Sequence, residues 1–166
     1  AARDALRDKS LTAIFSSPQQ RAQETAAIIA EPHTHLTVTT DPRIDEVLTP
    51  REGEPLAELE KTNFDLYSGN QPPYEVQGDV LKRVHHFFTH LRENYAGQEV
   101  AAVTHGDIVA FMFLYAKGTV PEVGTKGQMQ ALGLPEVYPA TASISTFTYK
   151  TDDVDELPAF AYLRPY

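Results

Sequence analysis

The sequence predicts an α/β fold, and two strand-to-helix junctions carry this prediction. Val100–Thr104 is a continuous run of small apolar residues, which is typical of a parallel strand buried on both faces. It leads through His105 and Gly106 into the apolar helical segment Ile108–Ala116. An earlier strand runs into a helix in the same way near Ser16. Open α/β sheets keep their binding sites at such junctions.

The N-terminal third of the chain predicts short strands and helices in alternation. Residues 1–7 contain good helix formers without a cap, which indicates the end of a helix. Thr12–Ser16 has the composition of a strand. Ser17 is predicted to cap the next helix with Pro18 at its first position, and that helix should end just before Pro32.

A third strand-like segment and a long irregular stretch follow. Leu36–Thr39 predicts a strand, and residues 43–78 are rich in proline and glycine, so we expect mostly loop with one short helix over Leu56–Lys61. An irregular stretch of this length inside a compact domain is more often a lid or a binding loop.

The rest of the chain contains the clearest helix and two further strand candidates. Apolar residues recur with helical period over Asp79–Tyr95, whereas Ser143–Tyr149 alternates as a strand does. Phe160–Leu163 is another strand candidate. The sequence shows neither an internal repeat nor a linker, so we expect residues 1–166 to form a single domain.

Composition excludes several classes of function. The 166 residues are 42% apolar and 22% charged, as in ordinary soluble domains, and their formal charge of −9 disfavours nucleic acid and anionic membranes as partners. No apolar run is long enough to span a bilayer and no signal peptide is recognisable, so a cytoplasmic location is expected. These residues include no cysteine, which excludes thiolate chemistry from them.

Three segments carry residues suited to phosphate chemistry. Arg21 lies in the first turn of a helix whose free backbone N–H groups attract anions, although a lone arginine is more often just exposed. His105 ends a buried strand, and Gly106 allows a ligand to approach the backbone. The third segment places Glu46 and Glu52 in an acidic loop, a weak signal in an acidic chain.

Taken together and in this order, these segments resemble the histidine phosphatase superfamily, in the branch of phosphoglycerate mutase-like proteins. The matching motifs are Ser16-Ser17-Pro18-x-x-Arg21-Ala22-x-x-Thr25, Arg43-Ile44-x-Glu46 and Val103-Thr104-His105-Gly106. The resemblance covers nearly the whole chain. It implies a three-layer α/β/α fold with a mostly parallel central sheet, in agreement with the strand–helix alternation.

The resemblance also implies a role for each matching residue. Arg21, His105 and Gly106 would bind the phosphoryl group of a small phosphorylated substrate. Glu46 would donate a proton to the leaving group and then activate water. Positioning and charge stabilisation dominate phosphoryl transfer, so these roles are physically reasonable and require no metal or organic cofactor.

One motif of the family is missing from these residues. The family's nucleophile is a histidine in an Arg-His-Gly motif after the first strand, whereas the His-Gly pair here follows Thr104. We therefore expect the chain to be incomplete at its N-terminus by about 20–30 residues, including the first strand of the sheet, and to be inactive by itself.

Two other departures bear on activity. Many relatives have a glycine soon after the glutamate, but this chain continues with Val47. Between Leu48 and Gln77 the only cations are Arg51 and Lys61, which favours hydrolysis over mutase activity, because mutases of this type carry more substrate-binding arginines.

Alternative functions follow from the same residues. The chain could be an inactive module that binds phosphate or a phosphorylated ligand, or it could catalyse transfer of the phosphoglycerate mutase type. An unrelated nucleotide-binding domain is disfavoured, because the phosphate-loop fingerprint is absent. His86 and His90 have the spacing of zinc ligands but lack the accompanying glutamate, so we expect them on a solvated helix face.

Overall fold

Helices cover both faces of a parallel β-sheet. The computed structural model describes residues 1–62, 65–122 and 125–166. The helices are α1 (Ala2–Leu6), α2 (Gln20–Ala30), α3 (Leu56–Lys61), α4 (Gln77–Asn94) and α5 (Gly106–Ala116). The strands are β1 (Leu11–Ser16), β2 (Val38–Thr40), β3 (Glu99–Val103), β4 (Ile144–Thr148) and β5 (Ala159–Leu163). Short 3-10 turns span Pro42–Ile44 and Thr125–Gln128.

The central sheet has the strand order β2-β1-β3, and both pairings are parallel. Ser16, the last residue of β1, lies opposite Val103, the last residue of β3. The backbone N–H of Ser17 donates to the Val103 carbonyl at 2.9 Å. The residues that follow these two strands therefore emerge side by side at one edge of the sheet.

The two faces of β1 contact different helices, as residues of alternating direction along a strand must. Phe15 belongs to a core built mainly with α4 and α5, including Phe87 and Phe111. Ile14 points the other way and packs with Ala26 and Ile29 of α2. The α/β prediction with its three layers is confirmed.

The predicted strands at 143–149 and 160–163 are confirmed, and they pair with each other in an antiparallel hairpin. This hairpin is separate from the parallel sheet over the described residues. Aromatic contacts attach it to the helices, with ring centroids 5.3 Å apart for Phe88 and Phe147 and 4.8 Å apart for Phe113 and Phe160.

The start of α2 differs from the prediction. The helix begins at Gln20 and its N-cap is Gln19, so Ser17 is not the cap and Pro18 is not the first helical residue. The Ser17 hydroxyl accepts the backbone N–H of Gln19, the residue before the helix, at 3.2 Å, and it is also bonded to His105 at 2.7 Å and to Asp45 at 3.0 Å. The short helix predicted at Leu56–Lys61 is confirmed.

Within the described ranges, no helix combines the length and the apolar content that crossing a bilayer requires.

Candidate active site

The candidate site lies where β1 and β3 end. β1 leads through Ser17 to Arg21 at the start of α2, and β3 leads through Thr104 to His105, the N-cap of α5. Thr104 Oγ1 donates to the Ile44 carbonyl at 2.6 Å, which attaches the segment carrying Glu46 to the same edge. The three predicted segments therefore meet in space.

Arg21, His105 and Glu46 form a triangle of close contacts. Arg21 Nη2 lies 3.2 Å from His105 Nδ1 and 3.4 Å from Glu46 Oε2. His105 Nδ1 lies 3.3 Å from the same Glu46 oxygen. The Arg21 side chain is still 60% exposed, so its guanidinium can also reach a ligand.

Hydrogen bonds fix the tautomer of His105. Arg21 has only donors, so its contact requires an unprotonated Nδ1 on His105. The proton then sits on Nε2, which donates to Ser17 Oγ at 2.7 Å. Ser17 in turn donates to Asp45 Oδ1 at 3.0 Å. The chain from Asp45 through Ser17 orients the imidazole with its lone pair toward Arg21.

His105 is neutral at neutral pH. Burial of the ring, followed by the positive charge of Arg21, lowers the pKa of His105 to about 4. Its contact with Glu46 is consequently not an ion pair between two full charges.

Burial raises the pKa of Glu46, and the nearby charge of Asp107 adds to the effect. A proton on Glu46 would remove the repulsion between its carboxylate oxygen and the His105 lone pair 3.3 Å away. Glu46 also borders a cavity of about 240 Å³. The remaining residues that line this cavity are Pro42, Asp45, Leu48, Glu75 and Arg83. A carboxyl group with a raised pKa at an open cavity is suited to donate a proton.

Arg83 of α4 holds the backbone around Glu46. Its guanidinium donates to the carbonyl oxygens of Arg43 at 3.0 Å, Asp45 at 2.7 Å and Glu46 at 3.3 Å. It also forms two hydrogen bonds to the carboxylate of Glu75, at 2.7 and 3.1 Å. One side chain from a helix thus fixes the conformation of a segment without regular secondary structure.

Arg43, part of the predicted motif, lies outside the triangle. Its side chain forms an ion pair with Asp41, with two contacts at 2.9 and 3.1 Å from Nε and one at 2.5 Å from Nη2. Asp41 also accepts the Arg43 backbone N–H at 2.9 Å, which caps the 3-10 turn. Glu52 is exposed.

Gly106 contacts Tyr138 closely. A Cβ atom on Gly106 would lie 2.5 Å from Tyr138 Cε1 and 2.6 Å from its hydroxyl oxygen. Gly106 is therefore required for the approach of this ring to the start of α5.

Sequence reasoning did not assign a role to Ser17, Asp45, Arg83 or Tyr138 at this site. Ser17 belongs to the first motif and Asp45 occupies the unspecified position of the second, which is the signal that could have identified them. Arg83 and Tyr138 come from segments distant in sequence and carry no local pattern.

His86 and His90 lie on α4, outside the triangle. His86 is exposed, as predicted, but His90 is half-buried and packs edge-on against Phe15, with centroids 6.1 Å apart. Its predicted place on a solvated face is therefore wrong, because α4 turns it toward β1. Over the residues described, no group of three or more potential ligands could hold a metal ion.

A family model described as the histidine phosphatase superfamily (branch 1) matches residues 1–153. The chain belongs to this superfamily.

Known proteins resemble the chain in sequence and in structure. The uncharacterized protein Rv0525 of Mycobacterium tuberculosis is 34% identical over 125 residues, which cover 71% of this chain and 61% of that protein. The chain thus spans less than two thirds of the length of this relative.

Among solved structures, YhfR of Bacillus stearothermophilus superposes with a TM-score of 0.70 and 23% identity, covering 90% of this chain and 73% of that protein. A mycobacterial glucosyl-3-phosphoglycerate phosphatase gives a TM-score of 0.70 and 21% identity, covering 97% of this chain and 80% of that chain. At these identities the likeness shows a shared fold.

Proposed function

We propose that the complete protein hydrolyses phosphomonoesters through a phosphohistidine intermediate. The observation that carries the proposal is the convergence of Arg21, His105 and Glu46 within 3.2–3.4 Å of one another at the carboxyl ends of parallel strands. Membership of the histidine phosphatase superfamily supports this class of reaction.

In this proposal Arg21 and His105 bind the phosphoryl group. The exposed guanidinium of Arg21 offers a planar set of N–H donors that matches phosphate oxygens. His105 is neutral and is held by Ser17, so its ring has one orientation before substrate arrives. The guanidinium donors stabilise the charge on the equatorial oxygens in the transition state. The negative charge of a bound phosphoryl group favours a proton on His105 Nδ1, which then donates as well.

Glu46 is proposed as the acid and then the base. Its raised pKa keeps a proton available for the departing alkoxide. Once it has lost that proton, the carboxylate can accept one from the water that attacks the phosphohistidine. Arg83 supports both steps, because it fixes the backbone that carries Glu46.

We infer that the nucleophilic histidine is not among these 166 residues. They contain no Arg-His-Gly motif, and His105 is already occupied by Arg21 and Ser17. The attacking residue would then come from another part of the protein, and this chain by itself would not turn over substrate. Hydrolysis is preferred to a mutase reaction because the acidic loop offers few cations for a second anionic group of the substrate.

The proposal is tested by trapping the covalent intermediate. The complete protein is mixed with para-nitrophenyl phosphate and quenched, and its intact mass is measured for one added phosphoryl group. The Glu46→Gln variant should accumulate the phosphoenzyme, because para-nitrophenolate departs without an acid while water still needs a base. Glu52→Gln, which removes an exposed carboxylate, is the matched control and should behave as the wild type.

The absence of both turnover and adduct would overturn the hydrolytic proposal. Calorimetry with orthovanadate then decides what remains. Binding without turnover would support a module that recognises phosphorylated ligands, and no binding would remove that alternative too.

A further inference from the structure

Two connecting segments, one after α3 and one between α5 and β4, meet at one buried carboxylate. Asp107, the second residue of α5, is 4% exposed. Its Oδ2 accepts a hydrogen bond from the hydroxyl of Tyr67 at 2.7 Å and another from Lys126 Nζ at 2.5 Å. Its Oδ1 accepts one from the hydroxyl of Tyr138 at 2.5 Å.

These contacts join parts of the chain that share no secondary structure. Tyr67 lies in the segment after α3, Lys126 in the 3-10 turn Thr125–Gln128, and Tyr138 in the segment before β4. Each side chain donates to the same acceptor, so a single carboxylate fixes three positions. Such long connections would otherwise have few constraints.

The cluster adjoins the candidate active site. Tyr138 lies against Gly106, the residue that follows His105. Its hydroxyl is directed inward to Asp107, while 37% of the residue stays exposed, so part of it remains available to a ligand. Burial and the charge of Asp107 raise the pKa of Tyr138, so its hydroxyl keeps the proton that it donates to the carboxylate.

We propose that Asp107 is a positioning residue for substrate recognition. Its carboxylate, fixed by Tyr67 and Lys126, holds Tyr138 against Gly106, so that the exposed part of Tyr138 contacts the alcohol portion of the substrate. This inference rests on the proposed function, because it assumes that the phosphoryl group lies between Arg21 and His105. The alcohol portion then extends past Gly106, where Tyr138 lies.

The test is a double-mutant cycle on the complete protein with para-nitrophenyl phosphate. Asp107→Asn and Tyr138→Phe should each raise KM roughly tenfold, the scale of a lost charge-assisted hydrogen bond, with a smaller change in kcat. The double variant should be no worse than Asp107→Asn alone, because both changes remove the same bond. Tyr95→Phe is the control, since Tyr95 caps the C-terminal end of α4, packs against Phe15 and is not one of the three donors to Asp107.

Additive effects on KM, or variants that lose thermal stability while KM stays unchanged, would overturn the positioning role. Wild-type turnover is the separate check on the proposed function. If no turnover occurs, amide hydrogen exchange still tests whether Asp107 holds the two connecting segments in place. Asp107→Asn should accelerate exchange in residues 65–70 and 133–141 and leave 144–148 unchanged, and unaltered exchange in both segments would contradict it.

Discussion

Nη2 of Arg21 lies 3.2 Å from Nδ1 of His105, although 84 residues separate them in the chain. The contact joins the residues that follow two adjacent parallel strands, β1 and β3. It also determines the protonation of the imidazole, because an arginine donor requires a free lone pair on its partner. Burial and this guanidinium together keep His105 neutral.

The neutral His105 predicts a pH dependence of stability. Its pKa is about 4 in the folded protein, below the value of 6.5 expected when the ring is exposed. Between these values the unfolded chain binds more protons, so stability should fall as the pH is lowered from about 6.5 to 4. Urea unfolding at several pH values measures this loss.

His105→Gln removes the titrating ring and should flatten that part of the pH dependence. His86→Gln removes an exposed imidazole and serves as the control. Direct observation by NMR should show no titration of the His105 ring above about pH 5. Titration near 6.5 would contradict the neutral, buried state.

Glu46→Gln should separate stability from activity. Burial raises the pKa of Glu46, so ionising this carboxyl group costs more in the folded protein than in the unfolded chain. The amide carries no charge and should raise the melting temperature, while turnover of an alkyl phosphate falls by about 10²–10⁴-fold for lack of an acid. Thermal unfolding and steady-state kinetics measure the two effects. Unchanged turnover would remove Glu46 from the chemistry.

Gly106→Ala should displace Tyr138. The new methyl group would lie 2.5 Å from the ring, so the ring must move and lose its bond to Asp107. We expect a lower melting temperature and a higher KM. Adding Tyr138→Ser should restore part of the stability by making room for the methyl group.

The matched control for this change is Gly78→Ala. Gly78 lies in the first turn of α4 with nothing near its Cβ position, so the substitution should leave stability equal or slightly higher. A Gly106→Ala variant that behaves like this control would show that the contact with Tyr138 is unimportant.

Arg83→Met should destabilise the fold by about 3 kcal/mol, because it leaves Glu75 without its cationic partner and three carbonyl oxygens without this donor. Turnover should fall as the backbone at Glu46 loosens. Combining it with Glu75→Gln should recover part of the stability, since the unpaired carboxylate is then removed. Urea unfolding of the three variants measures this coupling, and purely additive losses would contradict it.

The sequence predicted the order of strands and helices because the 3.6-residue and two-residue periods are local properties. It also singled out Arg21, Glu46 and His105, since each lies in a short motif. The structure brings these three side chains together, and their roles stay predictions. The start of α2 was misplaced because the Ser17 hydroxyl is bonded to His105, to Asp45 and to the N–H of Gln19, which itself is the residue before the helix. The cluster around Asp107 could not be predicted, because its partners come from irregular segments whose approach depends on the whole fold.

The most direct test of the account measures hydrolysis of para-nitrophenyl phosphate by the complete protein and by its Arg21→Ala variant. Arg7→Ala, which removes an exposed arginine of the N-terminal segment, is the control. If Arg21 binds the transferring phosphoryl group, kcat/KM should fall by about 10²–10³-fold in Arg21→Ala and stay unchanged in the control. Equal turnover by Arg21→Ala and the wild type would contradict the assignment of this site to phosphoryl transfer.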